Sequence, residues 1–157
     1  MSAAQDAFAL ASTLVGTHEG TGDWFEVDQA RVNAFADATL DHQFIHIDPE
    51  AAKATPFGGT IAHGFLTMSL LVHLSKSIQQ NPDVFKGVVM GVNYGMDKVR
   101  FINPVLVGSR VRASSVISDV VLKDANTIQM KKTLTVEIDG IAKPALIAEW
   151  ITLTIYG

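Results

Sequence analysis

The first half of the chain alternates between short amphipathic segments and breaks that are rich in glycine and proline. Apolar side chains recur at helical spacing after Asp28, which we predict to be an N-cap. Asp48 followed by Pro49 predicts a second helix start, a cap with proline at the first helical position. The patterns up to position 54 predict a strand at 24–27, helices at 29–39 and 49–54, and a loop at 41–47. Residues 1–21 favour no single element.

The middle of the chain holds its most apolar segment, which follows two glycines and predicts a helix over residues 64–80. Its first three turns are apolar nearly all round, so we expect the rest of the protein to enclose this helix. From residue 88 onward the pattern changes to segments rich in Val, Ile and Thr, separated by turn signals. The strands predicted there are 88–94, 99–102, 110–122, 128–138 and 145–156.

The strand predicted at 128–138 alternates between apolar and polar side chains, and only Lys132 interrupts its apolar face. This alternation is typical of a sheet that is covered on one side. Long antiparallel strands that follow one apolar helix predict an α+β fold in which the sheet curls around that helix. Because we find no repeat and no linker-like stretch, we predict that residues 1–157 form a single domain.

Composition and charge narrow the classes of function. A chain of 157 residues with 48% hydrophobic side chains can bury a sizeable core, and the absence of cysteine excludes disulfide scaffolds, thiolate metal sites and cysteine nucleophiles. The net charge is −4 and the basic residues are scattered, so we expect no nucleic-acid partner. No signal-peptide pattern and no membrane-spanning stretch is visible, which predicts a cytoplasmic protein without a membrane partner.

Three of the five histidines, His42, His46 and His63, lie within 22 positions in the two least regular segments. Asp41 and His46 are five positions apart in a predicted loop, which can direct both side chains into one pocket. A carboxylate and an imidazole that share a water form an acid/base pair near neutral pH. From the spacing alone, a capping aspartate and a hydrogen-bonded histidine without a catalytic role remain the simpler alternative.

A metal site is a second alternative for this segment, because Asp41 and Asp48 flank His42 and His46. The spacing of the two histidines aligns ligands only on a helix, and this stretch is predicted to be a loop without an HExxH pattern. We therefore predict that the protein binds no metal here.

The segment from Gly59 to Gly64 is a flexible turn that leads directly into the apolar helix. The start of a helix presents unpaired N–H groups and the positive end of the helix dipole. Such an N–H group can stabilise negative charge that develops on a carbonyl oxygen during a reaction. The alternative is that these glycines only permit a tight entry into the helix.

Three motifs then occur in an order that characterises one family. They are Phe35-Ala36-x-Ala38-Thr39-x-Asp41-His42-Gln43-Phe44-Ile45-His46-x-Asp48-Pro49, Ala62-His63-Gly64, and Val99-Arg100-Phe101-x-x-Pro104-Val105. Through these motifs the chain resembles the MaoC-like dehydratases, a family that includes the (R)-specific enoyl-CoA hydratases. Through these motifs the resemblance covers about residues 27–107, and the later strands agree in pattern only.

The resemblance implies a hot-dog fold, in which an antiparallel sheet wraps a central helix, and a homodimer. It implies reversible syn addition of water to a trans-2-enoyl-CoA, with Asp41 and His46 as the catalytic pair. The substrate-binding residues that we predict with it are Gly64, His63, Gln43 and Phe44. Coenzyme A is part of the acyl-CoA substrate, so no separate cofactor is expected. Basic residues that are candidates for its phosphates are Arg100, Arg110, Arg112 and Lys132.

The chain departs from the family pattern at three positions. Leu40 stands where glycine is usual, Gln43 where asparagine is usual and Phe44 where proline is usual. Gln43 keeps an amide, whereas Phe44 changes the pocket wall, so the resemblance does not imply an acyl-chain preference.

Two other functions are compatible with the same fold. A thioesterase often carries a catalytic Asp or Glu on the central helix, but residues 64–80 contain no acidic side chain. A non-catalytic acyl-thioester binding protein would not need the pair of Asp41 and His46. The sequence therefore favours a hydratase or dehydratase.

Overall fold

The N-terminal region folds into elements that its sequence pattern does not reveal. The structure, a computed structural model, describes residues 2–157. Helix α1 spans Ala3–Thr13, and a capping box in which Ser2 and Gln5 exchange hydrogen bonds starts it. Its buried face consists of alanines that pack against strands of the sheet. The sequence pattern does not predict this helix, although residues 3–13 are rich in alanine, a strong helix former.

The next helices begin at the predicted caps. Helix α2 spans Gln29–Thr39, and the Arg31 N–H donates to Asp28 Oδ1 at 2.8 Å. Helix α4, Pro49–Ala52, starts after Asp48, whose Oδ1 accepts two backbone hydrogen bonds. The prediction of a continuous loop at 41–47 is wrong in its second part, because Phe44–Ile47 form one helical turn, α3. This turn provides hydrogen bonds between backbone groups within the short connection from α2 to α4.

We call residues 64–77 the central helix. It consists of α5 (Gly64–Ser69), α6 (Leu71–Leu74) and a 3₁₀ turn (Ser75–Ser77), so it ends three residues before the predicted boundary. One face is buried in the main core, but the opposite face leaves Phe65 63% exposed and Val72 half exposed. The expectation that this helix is enclosed all round is therefore wrong for a single chain.

The sheet has six antiparallel strands in the order β1-β4-β5-β6-β3, and β2 pairs with another part of β4. The strands are β1 (His18–Thr21), β2 (Phe25–Glu26), β3 (Val88–Phe101), β4 (Arg110–Leu122), β5 (Thr127–Ile138) and β6 (Ile141–Tyr156). The two strands predicted at 88–94 and 99–102 are one strand, β3, whose pairing with β6 shifts register at three places. Bulges of this kind interrupt the alternation of side chains, and the sequence therefore reads as two strands.

The main core forms between the central helix and the sheet. Leu71 and Leu74 of the helix pack with Val111, Leu134 and Leu146 of β4, β5 and β6, and all five are buried. This arrangement confirms the predicted α+β fold with a sheet around a helix. Strand β3 lies at the edge of the sheet and exposes much of its apolar surface. No helix within residues 2–157 has the length and hydropathy needed to cross a membrane.

The alternation predicted for β5 is observed, and the fold also explains its one interruption. The Lys132 side chain is only 13% exposed, and its ammonium group donates to Glu19 Oε1 and Gln80 Oε1, both at 2.9 Å. Burial lowers the pKa of Lys132, and the neighbouring Glu19 opposes this shift. Because its charge is neutralised inside the fold, Lys132 is unsuited to the coenzyme A phosphates for which it was a candidate.

Candidate active site

A cavity of about 270 Å³ lies where α3, the start of the central helix and the end of β3 meet. Backbone hydrogen bonds join these segments, from the Ile61 N–H to the Ile45 carbonyl and from the Ala62 N–H to the Val105 carbonyl. Residues that line the cavity include His46, Ile61, Gly64, Thr67, Phe101 and Ala145. The cavity thus contains two of the residues singled out from the sequence, His46 and Gly64.

His46 is held in one orientation and one tautomer. Its Nδ1 lies 2.7 Å from the Ile61 carbonyl oxygen, so Nδ1 carries the proton and donates, which leaves a lone pair on Nε2. The residue is 7% exposed, and burial lowers its pKa below the ordinary value of 6.5. The hydrogen bond to Ile61 and the negative charge of Asp41 oppose this shift, whereas His63 adds to it. The lowered pKa favours the neutral form of His46 near pH 7.

Asp41 follows a strained end of α2. Leu40 ends this helix in the left-handed region, with φ 63°, at the position where the family has glycine. The Asp41 carboxylate is half exposed, and its only hydrogen bond within residues 2–157 is a weak one from the Gln43 N–H at 3.4 Å. One carboxylate oxygen of Asp41 and one ring nitrogen each of His46 and His63 all lie within 4.8 Å of one another. The predicted pair is thus brought together, with a third residue beside it.

His63 is that third residue, and it is 2% exposed. Its ring stacks on that of His46, with 3.8 Å between centroids and 26° between planes. Its Nε2 donates to the Asp41 carbonyl oxygen at 2.9 Å, and its Nδ1 is buried with no partner among residues 2–157. The structure places this ring underneath His46, and direct contact with a substrate stays a prediction.

Gly64 is the first residue of the central helix. Its N–H group has no backbone partner among the described residues, as expected for the first turn of a helix. A Cβ atom at this position would lie 3.0 to 3.2 Å from three atoms of the Phe101 ring. The glycine therefore permits a close approach between the helix start and the cavity wall.

The triad of Asp41, His46 and His63 is poorly arranged to hold a metal ion. His46 Nδ1 and His63 Nε2 are engaged with carbonyl oxygens. Because the two rings are stacked, an ion in the plane of one ring would lie far outside the plane of the other. His42 is turned away from this group, and its Nε2 pairs with Asp37 Oδ1 at 2.8 Å. The geometry thus disfavours the metal alternative.

Gln43 and Phe44 lie at the start of α3 and are exposed, and neither lines the cavity. Their contact with a substrate stays a prediction. Gln29 is a residue of the site that no motif indicates: its side chain donates to the His46 carbonyl at 2.7 Å and accepts from Thr60 Oγ1 at 2.6 Å. Phe101, which the third motif contains without indicating a role for it, lines the cavity.

Comparison with known proteins defines the class to which this fold and site belong. The family profile described as "MaoC like domain" matches residues 11–139, so the chain belongs to the MaoC-like family, as the motifs predicted. Nodulation protein N of Rhizobium meliloti is 51% identical over 143 residues, which cover 90% of this chain and 87% of that protein. The 3-hydroxyacyl-thioester dehydratase Z of Mycobacterium tuberculosis is 49% identical over 146 residues, covering 93% and 94%.

The solved structures agree with this assignment. The (R)-hydratase from A. caviae involved in PHA biosynthesis is similar with a TM-score of 0.68 at 25% identity. The similarity covers 88% of this chain and 94% of that one. The prediction of a hot-dog fold is therefore confirmed.

Proposed function

We propose that this protein is an (R)-specific enoyl-CoA hydratase, or in the reverse direction a 3-hydroxyacyl-CoA dehydratase. The observation that carries the proposal is the approach of Asp41 to His46, which lines the same cavity as Gly64, whose N–H has no backbone partner among residues 2–157. Membership of the MaoC-like family and the names of the dehydratase and (R)-hydratase relatives support it.

In the proposed reaction, water adds across the C2=C3 bond of a trans-2-enoyl thioester. Asp41 and the Nε2 lone pair of His46 hold the water, whose oxygen forms a bond to C3. The water gives one proton to the pair, and the pair returns one proton to C2, so that no net proton is gained or lost. Because both transfers occur from one side of the substrate, the addition is syn.

The negative charge that develops on the thioester oxygen needs a donor, and the Gly64 N–H is suited to this role. It lies at the start of the central helix and at the wall of the cavity. The bond strengthens as charge moves onto oxygen, so it favours the transition state over the bound substrate.

The proposal is tested by incubating the protein with crotonyl-CoA and following the loss of enoyl thioester absorbance. Asp41→Asn and His46→Gln should each lower kcat about 10²–10⁴-fold, the range for general acid/base groups. His42→Gln is a matched control, because His42 lies in the same segment but pairs with Asp37, and it should retain wild-type activity. Retention of half the activity by either Asp41→Asn or His46→Gln would reject the assigned pair.

Two further readouts separate this function from its alternatives. Chiral analysis of the hydration product should give mainly the (R)-3-hydroxy thioester, and a mainly (S) product would reject the stereochemical assignment. A thioesterase would release free coenzyme A thiol from the same substrate, which a thiol reagent detects. A non-catalytic binding protein would do neither. The central helix, residues 64–77, contains no acidic side chain that could serve a thioesterase.

The basic residues that are candidates for the coenzyme A phosphates differ in their partners. Among the basic candidates, Arg110 pairs with Asp139 and Arg112 with Glu137. Arg100 has no carboxylate partner among residues 2–157 and precedes Phe101 of the cavity wall, so we assign it to the coenzyme A phosphates.

Because no step requires a metal or a separate cofactor, EDTA should leave the activity unchanged.

We also propose a homodimer, because β3 offers an unpaired edge with exposed apolar side chains. The exposed apolar residues of this strand are Val89, Met90, Val92, Tyr94 and Phe101. The apolar stripe of the central helix, with Phe65 and Val72, is exposed in the single chain as well. Light scattering at micromolar concentration should give twice the chain mass of 16.9 kDa, and a monomer would contradict the proposal.

A further inference from the structure

His63 connects the two residues of the proposed catalytic pair without lying between them. One ring nitrogen donates to the backbone of Asp41, and one ring face stacks on His46. The ring is almost completely buried, and Phe35 packs against it with 5.0 Å between centroids. A buried ring with contacts on several sides has little freedom to move.

The position of Asp41 depends on few contacts. Among residues 2–157 its carboxylate accepts one weak hydrogen bond, from the Gln43 N–H two residues along the chain, and its Oδ2 lies 4.0 Å from His63 Nε2. Leu40, just before it, has the strained left-handed conformation. Within the described residues, the hydrogen bond from His63 is the one that ties the Asp41 backbone to a distant segment, 22 positions along the chain. This hydrogen bond therefore fixes the position of the Asp41 backbone, from which the side chain extends.

The donor role also explains an unusual feature of His63. With the proton on Nε2, Nδ1 becomes a buried acceptor that no residue of the described chain satisfies. The hydrogen bond through Nε2 is therefore the one hydrogen bond that the His63 ring makes within residues 2–157.

We infer that His63 is a positioning residue, whose Nε2–H group sets the place of Asp41 relative to His46. The inference rests on the proposed function, because it concerns the pair that this function requires. His63 would not touch the reacting atoms, and its effect would pass through Asp41.

Two variants separate the hydrogen bond from the stacked ring. His63→Gln keeps an N–H donor near the position of Nε2 but loses the ring, whereas His63→Phe keeps the ring but loses the donor. We expect His63→Phe to lower kcat on crotonyl-CoA about 10²-fold, as a misplacement near 1 Å does, with KM changed less than threefold. His63→Gln should retain at least ten times the kcat of His63→Phe. A folded His63→Phe protein with wild-type kcat, or equal losses in both variants, would overturn the inference.

A third comparison tests whether the effect passes through Asp41. In the Asp41→Asn background, His63→Phe should cause no further loss of kcat, because the residue that it positions is already inactive. A second loss of equal size would show that His63 acts independently and would overturn the inference.

Nuclear magnetic resonance of the imidazole nitrogens supplies a test that needs no activity. The wild-type spectrum should show the proton of His63 on Nε2 and that of His46 on Nδ1, and the Asp41 amide signal should shift in His63→Phe but stay near its wild-type position in His63→Gln. A proton on Nδ1 of His63 would overturn the inference even in an active enzyme. The expected spectrum in a protein without hydratase activity would support His63 as an anchor of Asp41 while rejecting the proposed function.

Discussion

Substitution of Gly64 by alanine tests how closely a thioester approaches the start of the central helix. The φ angle of Gly64 is outside the left-handed region, so alanine is permitted by the backbone. Its methyl group would lie 3.0, 3.1 and 3.2 Å from three atoms of the Phe101 ring, and this ring must retreat by roughly 0.5 Å to reach normal contact. Because Phe101 is half exposed, we expect it to move, and the helix should stay folded.

The expected effects on stability and on activity differ strongly in size. Replacement of a glycine by alanine stabilises the folded protein by about 0.4–1 kcal/mol, because it lowers the conformational entropy of the unfolded chain. This gain partly offsets the cost of crowding Phe101. The melting temperature should therefore change by less than about 4 °C. The added methyl group and the displaced ring both occupy the cavity of about 270 Å³. One extra carbon in a fitted pocket costs about 10–200-fold in kcat/KM, and we expect a loss in this range with crotonyl-CoA.

Two companion variants identify the cause of that loss. Gly59→Ala is a matched control, because its Cβ would meet only Leu106 at an ordinary 3.9 Å, and it should retain wild-type activity. Phe101→Leu in the Gly64→Ala background should recover most of the activity if the ring is responsible, and the cycle measures the coupling between the two positions. A folded Gly64→Ala protein with wild-type kcat/KM would refute the placement of the thioester at this helix start.

Two further predictions concern titratable groups. Since burial lowers the pKa of His46 below 6.5, the unfolded chain binds a proton at a higher pH than the folded protein does. The stability that neutral His46 contributes is complete above pH 6.5 and is lost as the pH falls through the folded pKa. The free energy of unfolding measured with urea should therefore fall less steeply with decreasing pH in His46→Gln than in the wild type. Lys132→Met would leave the buried carboxylate of Glu19 without its cation and should destabilise by about 3–5 kcal/mol in the same assay. The double variant Glu19→Gln/Lys132→Met should recover most of the lost free energy of unfolding. Equal stabilities of the wild type and Lys132→Met would contradict the reasoning.

The sequence predicts features whose cause is local. Asp28 and Asp48 cap helices through backbone groups two or three residues away, so their roles are visible in the spacing. The motifs also predict Asp41 and His46 as a pair, and the fold brings the two together.

Features that depend on distant contacts were not predictable in the same way. The stacking of His63 on His46 and the ion pair of Lys132 with Glu19 join residues that are 17 or more positions apart. Helix α1 buries its alanines against strands that are distant in the sequence, a contact that the pattern of residues 1–21 does not show. The pattern predicts two strands in place of β3, because bulges in its pairing with β6 interrupt the alternation of its side chains.

Strand β3 is at once the free edge of the sheet and, through Phe101, part of the wall of the cavity. A second chain that pairs with this edge would therefore lie next to the substrate. If pairing alters the affinity for the thioester by some factor, thermodynamic reciprocity requires the thioester to alter the association of the chains by the same factor. The apparent KM of such an enzyme depends on its own concentration, and a dilute assay and the crowded cell would then report different affinities for one active site.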